Sequence, residues 1–265
     1  MLTGERKEGT FVEHLEDLRW AIIRSLTSVV VMFPVAYYLS DSLIEWLVAG
    51  FCPAGMKLRY FSPIEPLLVQ LKMALYLSLF ICVPYILRQF WGFVAPGLYE
   101  REKKSAGWLL LSSWLLAMLG CAFAVIVIFP LVMQFSMGFQ TAYLEAAIGI
   151  GHFVGLFGML LLGFAVMFQF PAGVFMMVKT GMVSLERIKS LRAIIFVAIL
   201  IVSAILTPPD VISQLMMGIP TYLLFELGLL AASFGAAKSQ PSADDDQIAT
   251  EKLEGNVDEK LDKKE

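Results

Sequence analysis

Residues 106–134 read AGWLLLSSWLLAMLGCAFAVIVIFPLVMQ. The stretch holds no Asp, Glu, Lys or Arg, and it exceeds the roughly 20 residues that carry a helix across a bilayer core. Five further apolar runs fall at 20–39, 68–90, 152–178, 191–206 and 214–234. The fold predicted is an all-α polytopic membrane protein with six transmembrane helices. The runs at 106–134 and 152–178 are long enough to tilt or to protrude from the lipid. The last two are shorter. Thr207-Pro208-Pro209-Asp210 separates them, and prolines without N–H donors cannot continue a helix. Residues 191–234 therefore read as a tight helical hairpin of two helices too short to be ordinary spans.

Composition agrees. The chain is 58% apolar and only 16% charged, against about 25% charged in soluble domains, so too little polar surface remains to coat a water-soluble globule. The formal net charge of −3 points away from a nucleic-acid partner. Cys82 and Cys121 lie inside apolar runs and Cys52 in a loop, a spacing that fits neither a disulfide framework nor a zinc site. Residues 1–19 are mostly polar, and the apolar run that follows is too long for the core of a secretory signal peptide.

Lys and Arg placement orients the spans. Arg6, Lys7, Arg19 and Arg24 surround the start of the first span. Arg88, Arg101, Lys103 and Lys104 surround the second connection, and Lys179, Arg187, Lys189 and Arg192 the fourth. The opposite loops carry only Lys57 and Arg59. The positive-inside rule puts the N terminus in the cytoplasm, and six spans return the C terminus to the same side. Thr10-Phe11-Val12-Glu13 has the pattern of a helix-starting capping box, with Phe11, Leu15, Leu18 and Ile22 at helical spacing after it. The expected organisation is a cytoplasmic interfacial amphipathic helix over 1–19, a six-helix membrane domain over 20–237, and a disordered cytoplasmic tail over 238–265. The chain has no internal repeat, no phosphate-binding GxxxxGK[ST] loop, and only two histidines, His14 and His152. ATP hydrolysis, paired haem ligation and an HExxH zinc site are thereby disfavoured.

Four segments depart from a generic apolar bundle: His14-Leu15-Glu16-Asp17-Leu18-Arg19, Ser62-Pro63-Ile64-Glu65-Pro66, Phe93-Val94-Ala95-Pro96-Gly97-Leu98-Tyr99-Glu100-Arg101-Glu102, and Thr207-Pro208-Pro209-Asp210-Val211-Ile212-Ser213-Gln214. In this order and spacing they resemble the TatC family, the multi-spanning core of the twin-arginine protein export system. Its pattern runs HLxELR, SPxEP, FxxPxLYxxE with basic residues following, and TPPDxxSQ. The resemblance covers the chain up to its C-terminal tail.

The resemblance implies a bacterial inner-membrane receptor and translocase subunit rather than an enzyme, without cofactor or metal. Such proteins bind the twin-arginine signal peptides of folded cargo at the cytoplasmic face. They work in an oligomeric complex with TatB-type and TatA-type single-span partners, and the proton-motive force drives transport. Asp17 stands at an acidic position of the first motif, where the family usually has Glu, and Glu102 at that of the third. Fork-shaped guanidinium groups need such carboxylates. Phe93, Pro96, Leu98 and Tyr99 would scaffold the loop at headgroup level. The plainer readings are that Asp17 pairs with Arg24 or a lipid-side Lys, that Glu102 is a solvated loop charge, and that Arg19 pairs internally with an acid. Glu16 and Glu100 are weaker acidic candidates.

Gln169 stands in the fourth span where many family members carry Glu. It is either an intramembrane polar contact or a helix–helix hydrogen bond, and Pro171 should kink that span. Glu65 is expected to organise an external cap, with Lys72 as a candidate partner. Asp210 would cap the last helix, Gln214 would meet a partner helix, and Glu226 would either serve function or snorkel to the surface. A secondary transporter of a small solute is the alternative. It calls for charges deep in several spans and pseudo-symmetric broken helices, where this chain has one deep polar residue and one proline-broken hairpin.

Overall fold

The computed structural model describes residues 5–52, 57–94, 103–140, 143, 147–179, 183–206 and 211–237. The described residues fold almost entirely into helices. These are α1 (Glu5–Phe51), α2 (Glu65–Val94), α3 (Lys103–Phe123), α4 (Phe129–Met137), α5 (Ile150–Met167), α6 (Phe170–Lys179), α7 (Leu185–Ser190), α8 (Arg192–Leu206) and α9 (Val211–Ala237). Among the described residues five helical stretches are long and apolar enough to cross a membrane: Glu13–Phe51, Glu65–Phe93, Gly107–Met137, Ile150–Val178 and Gln214–Ser233. The other apolar helix, α8, has 15 residues, a rise of about 22 Å.

Three expectations are corrected. Helix α1 starts before Thr10, which lies inside it, so the capping box does not begin this helix. It also runs on through residues 40–51, expected to be loop. Leu43, Ile44, Leu47, Val48 and Phe51 recur at helical spacing and pack on the main core, which holds the helix together past the end of the apolar run. Of the expected pair of short helices only α8 is short. Helix α9 has 27 residues, because its helix begins directly at Val211 and continues through the small residues of its C-terminal end.

Pro130 and Pro171 shape the long stretches. Between α3 and α4 the helix widens into a π turn over Ala124–Ile128, where the Phe129 N–H donates to the Ala124 carbonyl. The wider register accommodates Pro130, which has no N–H to continue the ladder. In the fourth apolar stretch α5 ends at Met167 and α6 starts at Phe170. Pro171 in the first turn of α6 explains the break.

The broken stretch α5–α6 is the centre of the bundle and α1 its edge. In their most apolar windows 61% of residues are buried in the former and 11% in the latter. The main core joins Leu47, Met73, Phe129, Phe153, Phe157, Leu160 and Phe164, with Phe129 edge-on to Phe51, Phe153 and Phe157. A second cluster gathers Val174, Ile188, Ile199, Phe225 and Leu229 from α6 to α9. Glycine sets two of the approaches. The Tyr76 ring lies where a Cβ on Gly158 would be, and a Cβ on Gly228 would stand 2.7 Å from Pro171 Cα. The faces left exposed are apolar, such as Leu215, Ile219, Leu223 and Leu227 along α9. In a chain of this hydropathy that is surface for lipid or another helix.

Candidate functional site

The first and third motifs meet. His14, in the first part of α1, stacks on Phe93 at the end of α2, with ring centroids 4.3 Å apart and planes inclined by 17°. Nothing in the sequence marked His14 as the group that joins the two segments. Their separation in the chain hides a contact that depends on α1 and α2 lying side by side. Asp17 stands one turn or less from this stack on α1 and is exposed. It makes no ion pair with Arg19, Arg24 or any other described residue, so the internal pairing considered for it is absent from the structure. Pro96, Leu98, Tyr99, Glu100 and Glu102 lie outside the described residues.

At the opposite end, Glu65 joins three segments. One carboxylate oxygen accepts the Phe61 N–H at 2.6 Å and the other the Gly151 N–H at 3.1 Å. Gly149, the N-cap of α5, has no side chain to satisfy the first N–H groups of that helix. Glu65 supplies the acceptor from another element and adds negative charge at the positive end of α5. Arg59 and residues 148–150 complete the cap through a backbone bridge, Arg59 N–H to Ile148 O at 3.0 Å and Ile150 N–H to Arg59 O at 2.8 Å. Lys72 does not pair with Glu65. Two helical turns separate them by about 10 Å, and the backbone donors are closer. Asp210 lies outside the described residues.

Gln169 sits at the break between α5 and α6. Its side-chain amide donates to the Ser113 carbonyl on α3 at 3.0 Å, the helix–helix bond of the plainer reading. Its Oε1, the Ser113 hydroxyl and the Trp91 indole N–H are buried without a described hydrogen-bond partner. Trp91 packs with Leu109, Ala172 and Met176, where α2, α3 and α6 come together. Gln214 donates to the Leu200 carbonyl at 3.0 Å, tying α9 to α8. Glu226 accepts from Arg192 at 2.9 Å and from the Tyr222 hydroxyl at 2.9 Å. It serves as a clasp between the first residue of α8 and the C-terminal half of α9. Among the described residues no group of His, Cys, Asp and Glu could hold a metal.

The profile of the Sec-independent protein translocase protein TatC matches residues 13–220, nearly the whole helical bundle. The chain belongs to the TatC family. It is 34% identical over 246 residues to the TatC protein of Haemophilus influenzae, covering 92% of this chain and 96% of that one. To the TatC protein of Azotobacter chroococcum it is 32% identical over 237 residues, covering 88% and 93%. A crystal structure of the twin-arginine translocase receptor TatC superposes with a TM-score of 0.78 at 31% identity, covering 84% of this chain and 99% of that one. As a TatC-family chain it is a multi-pass membrane protein of protein transport, a component of a protein translocase.

Proposed function

We propose that this chain is the receptor subunit of a twin-arginine export system, binding the signal peptides of folded proteins at its cytoplasmic face. The observation that carries the reading is the His14–Phe93 stack, because it joins the two motif segments that bear the candidate acids. Asp17, exposed and without a described cationic partner, has its carboxylate available to a guanidinium. Glu102 is its proposed companion, and Phe93, Pro96, Leu98 and Tyr99 hold the loop that carries it. The relative of known structure is described as a twin-arginine translocase receptor, which supports the same assignment.

In this reading the chain crosses a bacterial inner membrane six times with both termini inside, as the basic residues favour. Residues 1–19 are the cytoplasmic interfacial segment, 20–237 the membrane domain and 238–265 a cytoplasmic tail. Glu65 and Asp210 organise the outer cap. Gln169 is an intramembrane polar contact within the bundle, and Gln214 is a contact for a TatA-type or TatB-type single-span partner in an oligomeric complex.

A test is photocrosslinking of a twin-arginine signal peptide to the native chain in membrane vesicles, beside the same peptide with both arginines changed to lysine. Bidentate geometry is lost with lysine, so the crosslink should weaken strongly. Equal yields from both peptides would count against the reading.

A further inference from the structure

Helices α7 and α8 carry three cations, Arg187, Lys189 and Arg192, and one acid, Glu186. Helix α7 leans on the second apolar cluster through Ile188, which is buried, with Leu185 packed beside it. Arg187 and Lys189 flank Ile188 in sequence and are both exposed. Neither makes an ion pair among the described residues. The Arg192 guanidinium is held by Glu226 at 2.9 Å. That carboxylate also accepts from the Tyr222 hydroxyl, so it is engaged away from Arg187 and Lys189. Beyond Arg192, Ile194, Val197, Ile201 and Ile205 recur at spacings of three and four residues, which sets them in one stripe along α8. All four are exposed.

We propose that the junction of α7 and α8 binds an anionic phospholipid, with the phosphate against Arg187 and Lys189 and one acyl chain along the α8 stripe. Charge selects the headgroup. The Arg187 fork matches two phosphate oxygens, Lys189 adds a compact positive charge, and basic residues at a membrane surface attract anionic lipid. A zwitterionic headgroup brings an ammonium that the same two cations repel. Length selects the chain. Ile194 to Ile205 rises about 16 Å, close to half of a hydrocarbon core of about 30 Å, which is the depth of one leaflet. A partner helix crossing the whole core would find about half of its length unmatched by this stripe. Bound there, the lipid pins the basic end of α8 at one bilayer surface, so the shortfall of this 15-residue helix lies at its Leu206 end. The site is independent of the signal-peptide site and of Asp17.

The experiment places the full chain in phosphatidylcholine nanodiscs doped with either phosphatidylglycerol or phosphatidylcholine carrying a photoreactive group on one acyl chain. Adducts along residues 192–205 are mapped by peptide mass spectrometry after irradiation. The phosphatidylglycerol probe should label this stretch about 25-fold more than the phosphatidylcholine probe, or about fivefold for each of the two cations without an ion pair. Arg187→Gln and Lys189→Gln should each lower the excess about fivefold, and together abolish it. Both side chains are exposed, so the variants should melt as the native chain does. Lys57→Gln, which removes an exposed cation elsewhere, should leave the excess unchanged. In the native chain, raising the salt concentration should shrink it by screening, and an excess indifferent to salt would count against the charges. Equal labelling by the two probes, or an excess that survives the double substitution, would overturn the site. An equal loss in Lys57→Gln would reduce the preference to net charge and overturn it too. Repeated with the single-span partners present, the excess should persist. Loss of adducts from both probes there would give the stripe to a partner helix and overturn the lipid.

Discussion

At the residue scale, aromatic and carboxylate contacts give the two ends of the molecule different chemistry. The His14–Phe93 stack joins the first part of α1 to the end of α2. His14→Ala should loosen peptide binding while leaving membrane insertion intact, and His14→Phe should restore it, as read by crosslinking yield. Recovery with Phe separates a stacking role from one needing the imidazole nitrogens. Glu65 works through backbone N–H groups on two segments. Glu65→Ala should lower the melting temperature of the purified protein. Glu65→Gln should lie between, because one amide oxygen can replace only one of the two carboxylate acceptors. An unchanged melting temperature in Glu65→Ala would remove Glu65 from the cap. The acids were legible in the sequence through their motifs. Their partners were not, because Gly151 lies 86 residues from Glu65 and contributes only an N–H that every residue but proline possesses.

At the element scale, hydropathy located every long helix but misjudged their ends. An apolar run measures what lipid or core covers, whereas a helix continues as long as its backbone bonds and one packed face support it. That is why α1 continues through Asp41, Ser42 and Glu45 on the strength of Leu43, Leu47 and Phe51. The break at Pro171 was legible because proline acts locally. The π turn was not, since it is the response of a whole turn to Pro130. Close approach of α2 and α5 depends on Gly158, where Tyr76 fills the space of a side chain. Gly158→Ala should destabilise the purified protein by about 1–3 kcal/mol, the usual cost of overpacking. Gly155→Ala, with open space around its Cβ position, should be near neutral. Thermal melting in detergent compares the two, and equal melting temperatures would refute the packing role.

At the scale of the whole molecule, one shorter apolar helix, α8, stands among five long apolar stretches of the described residues. A rise of about 22 Å for α8 falls below a hydrocarbon core of about 30 Å, so α8 either thins the bilayer locally or does not cross it fully, and we propose the thinning. Nanodiscs containing the protein should show a thinner bilayer beside α8 than beside α1. Uniform thickness around the protein would contradict this. The family was legible in the strings FVAPGLYEREKK and TPPDVISQ, although much of both lies outside the described residues. What the three-dimensional structure adds is a division of labour: a cap at one end built on Glu65 and Arg59, and at the other a junction of α1 and α2 beside which Asp17 stands.

In the proposed function this junction binds paired arginines through carboxylates. The most direct test is equilibrium binding of a labelled twin-arginine signal peptide to membranes holding the native chain, Asp17→Ala, Glu102→Ala, or both substitutions together. Asp17→Ala alone should weaken binding about tenfold, the lower end of the value of a charge-assisted hydrogen bond, because Asp17 is exposed and partly screened. The double substitution should abolish specific binding while the protein still inserts and melts as the native chain does. Undiminished binding to a correctly inserted double variant would mean that Asp17 and Glu102 do not receive the arginines.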